Sequence, residues 1–243
     1  MPSFSADPIA AYADLWSSSA TQRHQLGTRF VTPDGRTFRY CKAGASALVV
    51  GNVIQAPAQD TAHQQITPAA AAIGATSFTA TLGASAAAEN LYAEGWAIID
   101  TTPGLGYAYP ISGHAAVLSA GVITLTLPKD SPIQVALTTS SRVSLQRNPY
   151  AGVIQSPVTT LTGAVVGVAV YPIAAAQFGW IQTHGPGAVL IAGTPGVGLA
   201  VVVPATAAGA VVVDGAASAT KVVGSMMVTG VDGKVQAVLL NIN

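Results

Sequence analysis

Four histidines, His24, His63, His114 and His184, are the side chains of this sequence best suited to moving a proton near neutral pH. They lie far apart, and no two stand four residues apart as a pair of helical metal ligands would. His184 follows Trp180-Ile181-Gln182-Thr183 and precedes Gly185-Pro186-Gly187, which reads as a histidine at a strand end before a turn. Glu89, Glu94 and Asp100 could supply two carboxylates for glycoside hydrolysis, which needs them about 5–10 Å apart. Nothing in their spacing makes them converge, and they read as a solvated acidic face. Gly193-Thr194-Pro195-Gly196-Val197-Gly198 has glycines, but neither the Lys-Ser/Thr ending of a phosphate loop nor the spacing of a dinucleotide fingerprint. Gly44-Ala45-Ser46 and Gly83-Ala84-Ser85 each lack the second glycine of a nucleophile elbow. Cys41, the single cysteine, can form neither an intrachain disulfide nor a thiolate cage. The expectation is a protein with no catalytic, cofactor-binding or metal site, and not an enzyme.

Charge is patterned more strongly. Arg29, Arg36, Arg39 and Lys42 fall close together with Asp34 as their only acidic neighbour. From Ala43 to Pro128 there is no Lys or Arg, while Asp60, Glu89, Glu94 and Asp100 are present. A basic patch can contact phosphates, but zero net charge and the lack of basic–aromatic repeats disfavour nucleic acid. Complementary charge between subunits, which sets register and rejects wrong docking, accounts for the pattern better. Tyr12 and Trp16, at helical spacing with Ile9 after Asp7-Pro8, need a partner surface because so short a helical segment is marginal alone. Tyr12, Trp16, Arg29, Arg36, Arg39 and Lys42 are therefore the candidate interface residues.

The elements that must position them read as an all-β fold. Residues 1–27 are expected to be an extended arm with a short helical turn. Thr28–Thr32 and Arg36–Lys42 form a hairpin about Pro33-Asp34-Gly35, where proline presets one turn position and glycine supplies a positive φ. Further strands are expected at 48–54, 77–82, 96–100, 106–111, 122–127 and 133–137, each bounded by turn residues. Residues 55–75 read as a linker or loose loop, and 85–92 as a helical turn. Val- and Ala-rich runs at 165–170, 178–183, 188–192, 200–203 and 210–213, then 226–228 and 235–239 about Asp232-Gly233, predict a small β-barrel or compact sandwich over 148–243. The expected division is thus 1–27 arm, 28–147 β-rich domain beginning with the hairpin, and 148–243 C-terminal barrel.

Charged residues make up 8% of the chain and hydrophobic ones 50%. No Asp, Glu, Lys or Arg occurs from Asn148 to Val213, yet Gly193, Pro195, Gly196, Gly198, Pro204 and Gly209 cut that stretch into strand lengths. A membrane helix needs about 20 apolar residues without such breaks, so the strand reading wins and no membrane partner is expected. The start of the sequence lacks the basic and apolar regions of a secretory signal. A surface so poor in charge fits a protein covered by other subunits, hence a homo-oligomer.

Leu26 through Tyr40 and Lys42-Ala43-Gly44, with Tyr92–Pro110 and Pro132–Thr138, resemble structural proteins of tailed phages. Gly163–Val170, Gly179-Trp180-Ile181-Gln182 and Val222–Leu240 are similar to small β-barrel capsid decoration (cement) proteins. That resemblance implies a bacteriophage structural protein on the outer capsid surface of the virion. It would be a homotrimer that clamps the major capsid protein for capsid stabilisation, and it brings no catalytic residues. The alternatives are another virion component (tail, connector, head fibre or shell subunit) or a carbohydrate- or receptor-binding surface module.

Overall fold

The computed structural model describes residues 12–215 and 222–242. The part of the expected arm that holds Asp7, Pro8 and Ile9 lies outside the described residues. Among the described residues the helical segments are two 3-10 turns, Tyr12–Trp16 and Thr61–His63; the remaining regular structure is strand. In chain order the strands are β1 (Arg29–Val31), β2 (Thr37–Ala43), β3 (Val53–Gln55), β4 (Thr67–Pro68), β5 (Ser77–Thr81), β6 (Trp96–Thr101), β7 (Ala108–Pro110) and β8 (Val122–Thr126). They continue as β9 (Arg142–Gln146), β10 (Ala151–Gln155), β11 (Val165–Ala169), β12 (Phe178–Leu190), β13 (Ala200–Val202), β14 (Val212–Val213), β15 (Val222–Met226) and β16 (Val235–Asn241). The chain is all-β, as its punctuated apolar runs imply.

Two compact units form, and their boundaries correct the expected linear division. The first joins 1–57 to 149–243, and the second is the stretch 58–148 inserted between them. In the first unit β2, β10, β3, β11 and β12 pair in sequence, and β12 returns to β2, closing a five-stranded barrel. The barrel is therefore not made from 148–243 alone. The reason lies in β2, which is apolar on both faces. Cys41 and Ala43 pack with Ile54, Val153, Val166 and Ile181. Phe38 and Tyr40, on the other face, pack with Leu15, Phe30, Phe178 and Trp180. A strand buried on both faces needs partners at both edges, and the C-terminal strands supply them through Trp180↔Tyr40 and Ala151↔Lys42. Beyond a bulge at Gln182/His184, β12 leaves the ring and pairs with β16, which leads on to β15, β13 and β14.

The inserted unit holds two three-stranded sheets, β4-β5-β8 and β7-β6-β9. Strict alternation in β5, β6 and β8 buries Phe78, Ala80, Ala97, Ile99, Ile123 and Leu125 in one core with Val143 and Leu145. The expected linker at 55–75 contains the unit boundary, the second 3-10 turn and β4. The strand expected at 133–137 is absent; the sheet uses 142–146 instead, and 85–92 forms turns without a helix.

One device recurs ahead of β3, β5, β6, β8, β9 and β12. A single residue forms an isolated bridge, and a four-residue turn follows, closed by Asn52, Ala75, Leu91, Gly121, Ser141 or Gln177 donating to the carbonyl three residues earlier, at 3.0–3.2 Å. The bridge residues pair off as Leu48↔Ile173, Ala71↔Leu137 and Ala87↔Val117. Where the turn's third residue has a positive φ it is Gly51, Gly74, Asn90, Ala120 or Ala176, the position at which a type II turn demands it.

Candidate interaction surface

Leu15, fully buried, anchors the first 3-10 turn in the aromatic layer of the barrel. With that side chain pinned, Tyr12 and Trp16 stay 48% and 41% exposed. Arg36, at the start of the returning hairpin strand, reaches Tyr12 and donates to its hydroxyl. Its guanidinium lies 5.8 Å from the Tyr12 ring centre and 5.6 Å from that of Phe38. Arg36 Nε also donates to Asp34 Oδ2 at 2.8 Å. The Thr32 hydroxyl, and then Arg36, hold the Asp34 carboxyl below the usual carboxylate range. The hairpin tip is thus a fixed cluster in which the cation of Arg36 lies between two rings.

The other expected interface residues do not join it. Arg29 and Arg39 stand opposite each other across β1 and β2, and Arg39 donates to the Gly27 carbonyl at 3.0 Å. Lys42 is on the opposite face of β2, its ammonium 5.4 Å from the Phe178 ring centre. Strand alternation puts Arg39 on the other face from Arg36, and the length of β2 separates Lys42 from it: Tyr12, Trp16 and Arg36 come together, and Arg29, Arg39 and Lys42 do not.

A groove of about 410 Å³ opens beside Trp16 and Arg36. Val50, Val170, Val235 and Gln236 line it with them. Val50 belongs to the turn before β3 and Val235 to the start of β16, so the barrel and its attached sheet both contribute. Val49 and Leu239 extend the exposed apolar surface nearby in the chain, at 55% and 47%. Sequence reasoning missed Val50, Val235 and Gln236, because no local spacing links residue 50 to residue 235. No family model, curated protein or solved structure matches the chain. The surface must therefore be read from its own geometry.

The remaining residues with chemical potential are held in structural roles. Cys41 is buried, and desolvation pushes its thiol far up, leaving it inert near neutral pH. His24 packs edge-on against Tyr40, 5.1 Å between centres, and tilted against Trp180 at 5.4 Å. His184 is exposed at the bulge where β12 leaves the ring. Asp100 accepts from Ser144. His63 and His114 are buried in the inserted unit on either side of Tyr92. Among the described residues no cluster of three His, Cys, Asp or Glu could hold a metal ion, and no helix is long and apolar enough to cross a membrane.

Proposed function

We propose that this chain is a structural virion protein: a decoration (cement) protein of a tailed-phage head that binds the major capsid protein from the outer surface and stabilises the lattice. The observation that carries this reading is the surface of the first unit. Trp16 and the Tyr12–Arg36 cluster flank a groove walled by Val50, Val170 and Val235. Aromatic and arginine anchors within an apolar patch are the usual composition of an energetically dominant interface centre. The low charge of the chain as a whole, 8%, agrees with a surface that is covered in use. Self-association, with a trimer as the favoured state, belongs to the same proposal. Repetition over a shell converts individually modest contacts into strong attachment.

The test is co-sedimentation of the purified chain with expanded phage shells that lack it. The full chain should pellet with the shells, and Trp16→Ala with Arg36→Glu should reduce occupancy at least tenfold while the circular-dichroism spectrum is unchanged. Full occupancy by the double variant would remove this surface from the proposal. Absence of the full chain from the shells, together with its recovery from tails of intact particles, would transfer the chain to another virion part. Retention on immobilised host polysaccharide in place of shells would favour the receptor-binding alternative.

A further inference from the structure

We propose that His114 is an acid-operated latch on the inserted unit, independent of whether the chain binds a shell. The argument starts from where backbone hydrogen bonds go. The segment before β6 runs beside residues 111–114. Asn90 N–H donates to the His114 carbonyl at 3.1 Å, and His114 N–H donates to Asn90 Oδ1 at 3.0 Å. Leu91 N–H closes the turn onto the Ala88 carbonyl at 3.1 Å, and the donor after it, Tyr92 N–H, meets no backbone carbonyl. It donates to His114 Nε2 at 3.1 Å, so an imidazole nitrogen serves as a backbone acceptor. That fixes the tautomer: Nε2 is bare, and Nδ1 carries the proton it donates to the Ala115 carbonyl at 2.8 Å. The residue is only 6% exposed.

A proton added to Nε2 leaves two N–H groups facing each other at 3.1 Å, and a cation with little water around it. Burial, the largest influence, already holds this histidine below its ordinary value. The charged and titratable groups around it are few. Glu89 favours the cation and His63 opposes it, while Tyr92 lies between the two imidazoles with Arg147 and Asp60 acting on it. His63 is partnered differently, with a side-chain hydroxyl on one ring nitrogen and a backbone carbonyl on the other. Its Nε2 donates to the Ser85 carbonyl at 3.0 Å, and its Nδ1 accepts from the Tyr92 hydroxyl. The Asp60 carboxylate lies 3.8 Å from the same Nδ1. His114 is the one of the two whose bare nitrogen holds a backbone N–H, and the latch turns on that bond.

The direction follows from the lowered value. Above pH ~6.5 the imidazole is neutral in folded and unfolded chains alike, and the latch is closed. As pH falls below that, the unfolded or locally opened form takes up the proton first. Closure then weakens by up to about tenfold per pH unit until the folded form protonates as well. The segment released is 88–95, which carries Tyr92 and leads into β6.

Amide hydrogen exchange of the full chain at pH 7.5 and 5.0, corrected for intrinsic rates, tests this. Protection over 88–95 should fall at pH 5.0, by at most about thirtyfold over the roughly 1.5 units below pH ~6.5, while 178–190 in the barrel holds. His114→Asn, whose side-chain oxygen can still accept, should remove the pH response, and His63→Asn should keep it. An unchanged 88–95 segment in the wild type, or an equal loss in His114→Asn, would overturn the proposal. Should His114→Asn not fold, ring-nitrogen NMR of the wild type decides: an Nδ1–H tautomer that resists protonation below pH 6 supports the latch, and titration at or above 6.5 refutes it.

Discussion

The two units build strands from the same turn but dispose of their edges and polar groups differently. In the discontinuous unit the ring of β2, β10, β3, β11 and β12 closes on itself, and the buried residues that fill it, such as Cys41, Ala43, Val166, Ile54 and Ile181, include no aromatic ring. The larger rings, Phe38, Tyr40 and Trp180, are left to form an outer layer. The inserted unit closes no ring. Its two three-stranded sheets share a core of longer side chains, with Tyr92 and Phe78 among Ile and Leu. It also buries two histidines, which the barrel does not. Closure lets a strand be apolar on both faces, whereas open sheets require alternation and leave one face wet. That contrast explains why β11 is buried at every position while β8 alternates strictly.

Truncating the layer that each unit depends on should have the largest effect. Phe38→Ala is expected to cost about 3–5 kcal/mol, and Leu145→Ala about 2–5 kcal/mol, since both side chains are fully buried. Urea denaturation should show the first at Trp180 and the second at Trp96. An effect of Phe38→Ala that appeared only at Trp96 would break the assignment of β2 to the barrel. Next in size is Gly224→Ala, whose added methyl would stand 2.1 Å from the Leu239 carbonyl oxygen across the β15–β16 pair. Backbone cannot yield as a flexible side chain can, and a loss of about 1–3 kcal/mol is expected. Protection of the 235–241 amides would fall first. Tyr92→Phe should follow, at about 1–3 kcal/mol, because it strands the buried His63 Nδ1 without its donor. Here the loss should appear at Trp96 and leave Trp180 unmoved.

How far this contrast was legible in the sequence depended on range. Alternation in 77–82 and 122–127 announced two-faced strands, and Pro33-Asp34-Gly35 announced the first hairpin, with Gly35 at φ 84°. The apolar run over 48–54 misled: Leu48 is a bridge, 49–52 a turn, and only Val53–Gln55 is strand. An apolar run satisfies either role, and only the pairing across the fold distinguishes them. The barrel's membership was illegible for the same reason, since nothing local tells residue 40 that residue 180 will lie beside it. Of the candidate surface, Tyr12, Trp16 and Arg36 were visible as unpartnered aromatics and a turn cation. The groove that Trp16 and Arg36 rim needed Val50 and Val235, which only ring closure and the β12–β16 pairing bring near. The buried histidines, at 63 and 114, carried no spacing signal at all.

The smallest predicted effect is the sharpest comparison, because it tests whether the recurring turn is the same object in both units. Ala176, in the first unit, and Ala120, in the second, occupy the turn's third position at φ 60° and 57°. A left-handed alanine costs roughly 1–2 kcal/mol relative to a right-handed one, while glycine adds about 0.5–1 kcal/mol of chain entropy to be lost on folding. Ala176→Gly and Ala120→Gly should therefore each be neutral to stabilising, by at most about 1 kcal/mol, and by similar amounts. Gly74→Ala reverses the substitution at φ 86°, where an added methyl would meet nothing within 4 Å. Its expected loss, about 1 kcal/mol, is then a backbone effect without a packing term. Thermal melts of the three variants give the comparison directly. Agreement of the two alanine sites in sign and size would make the turn a local module; opposite signs would mean that each unit imposes its own conformation on it.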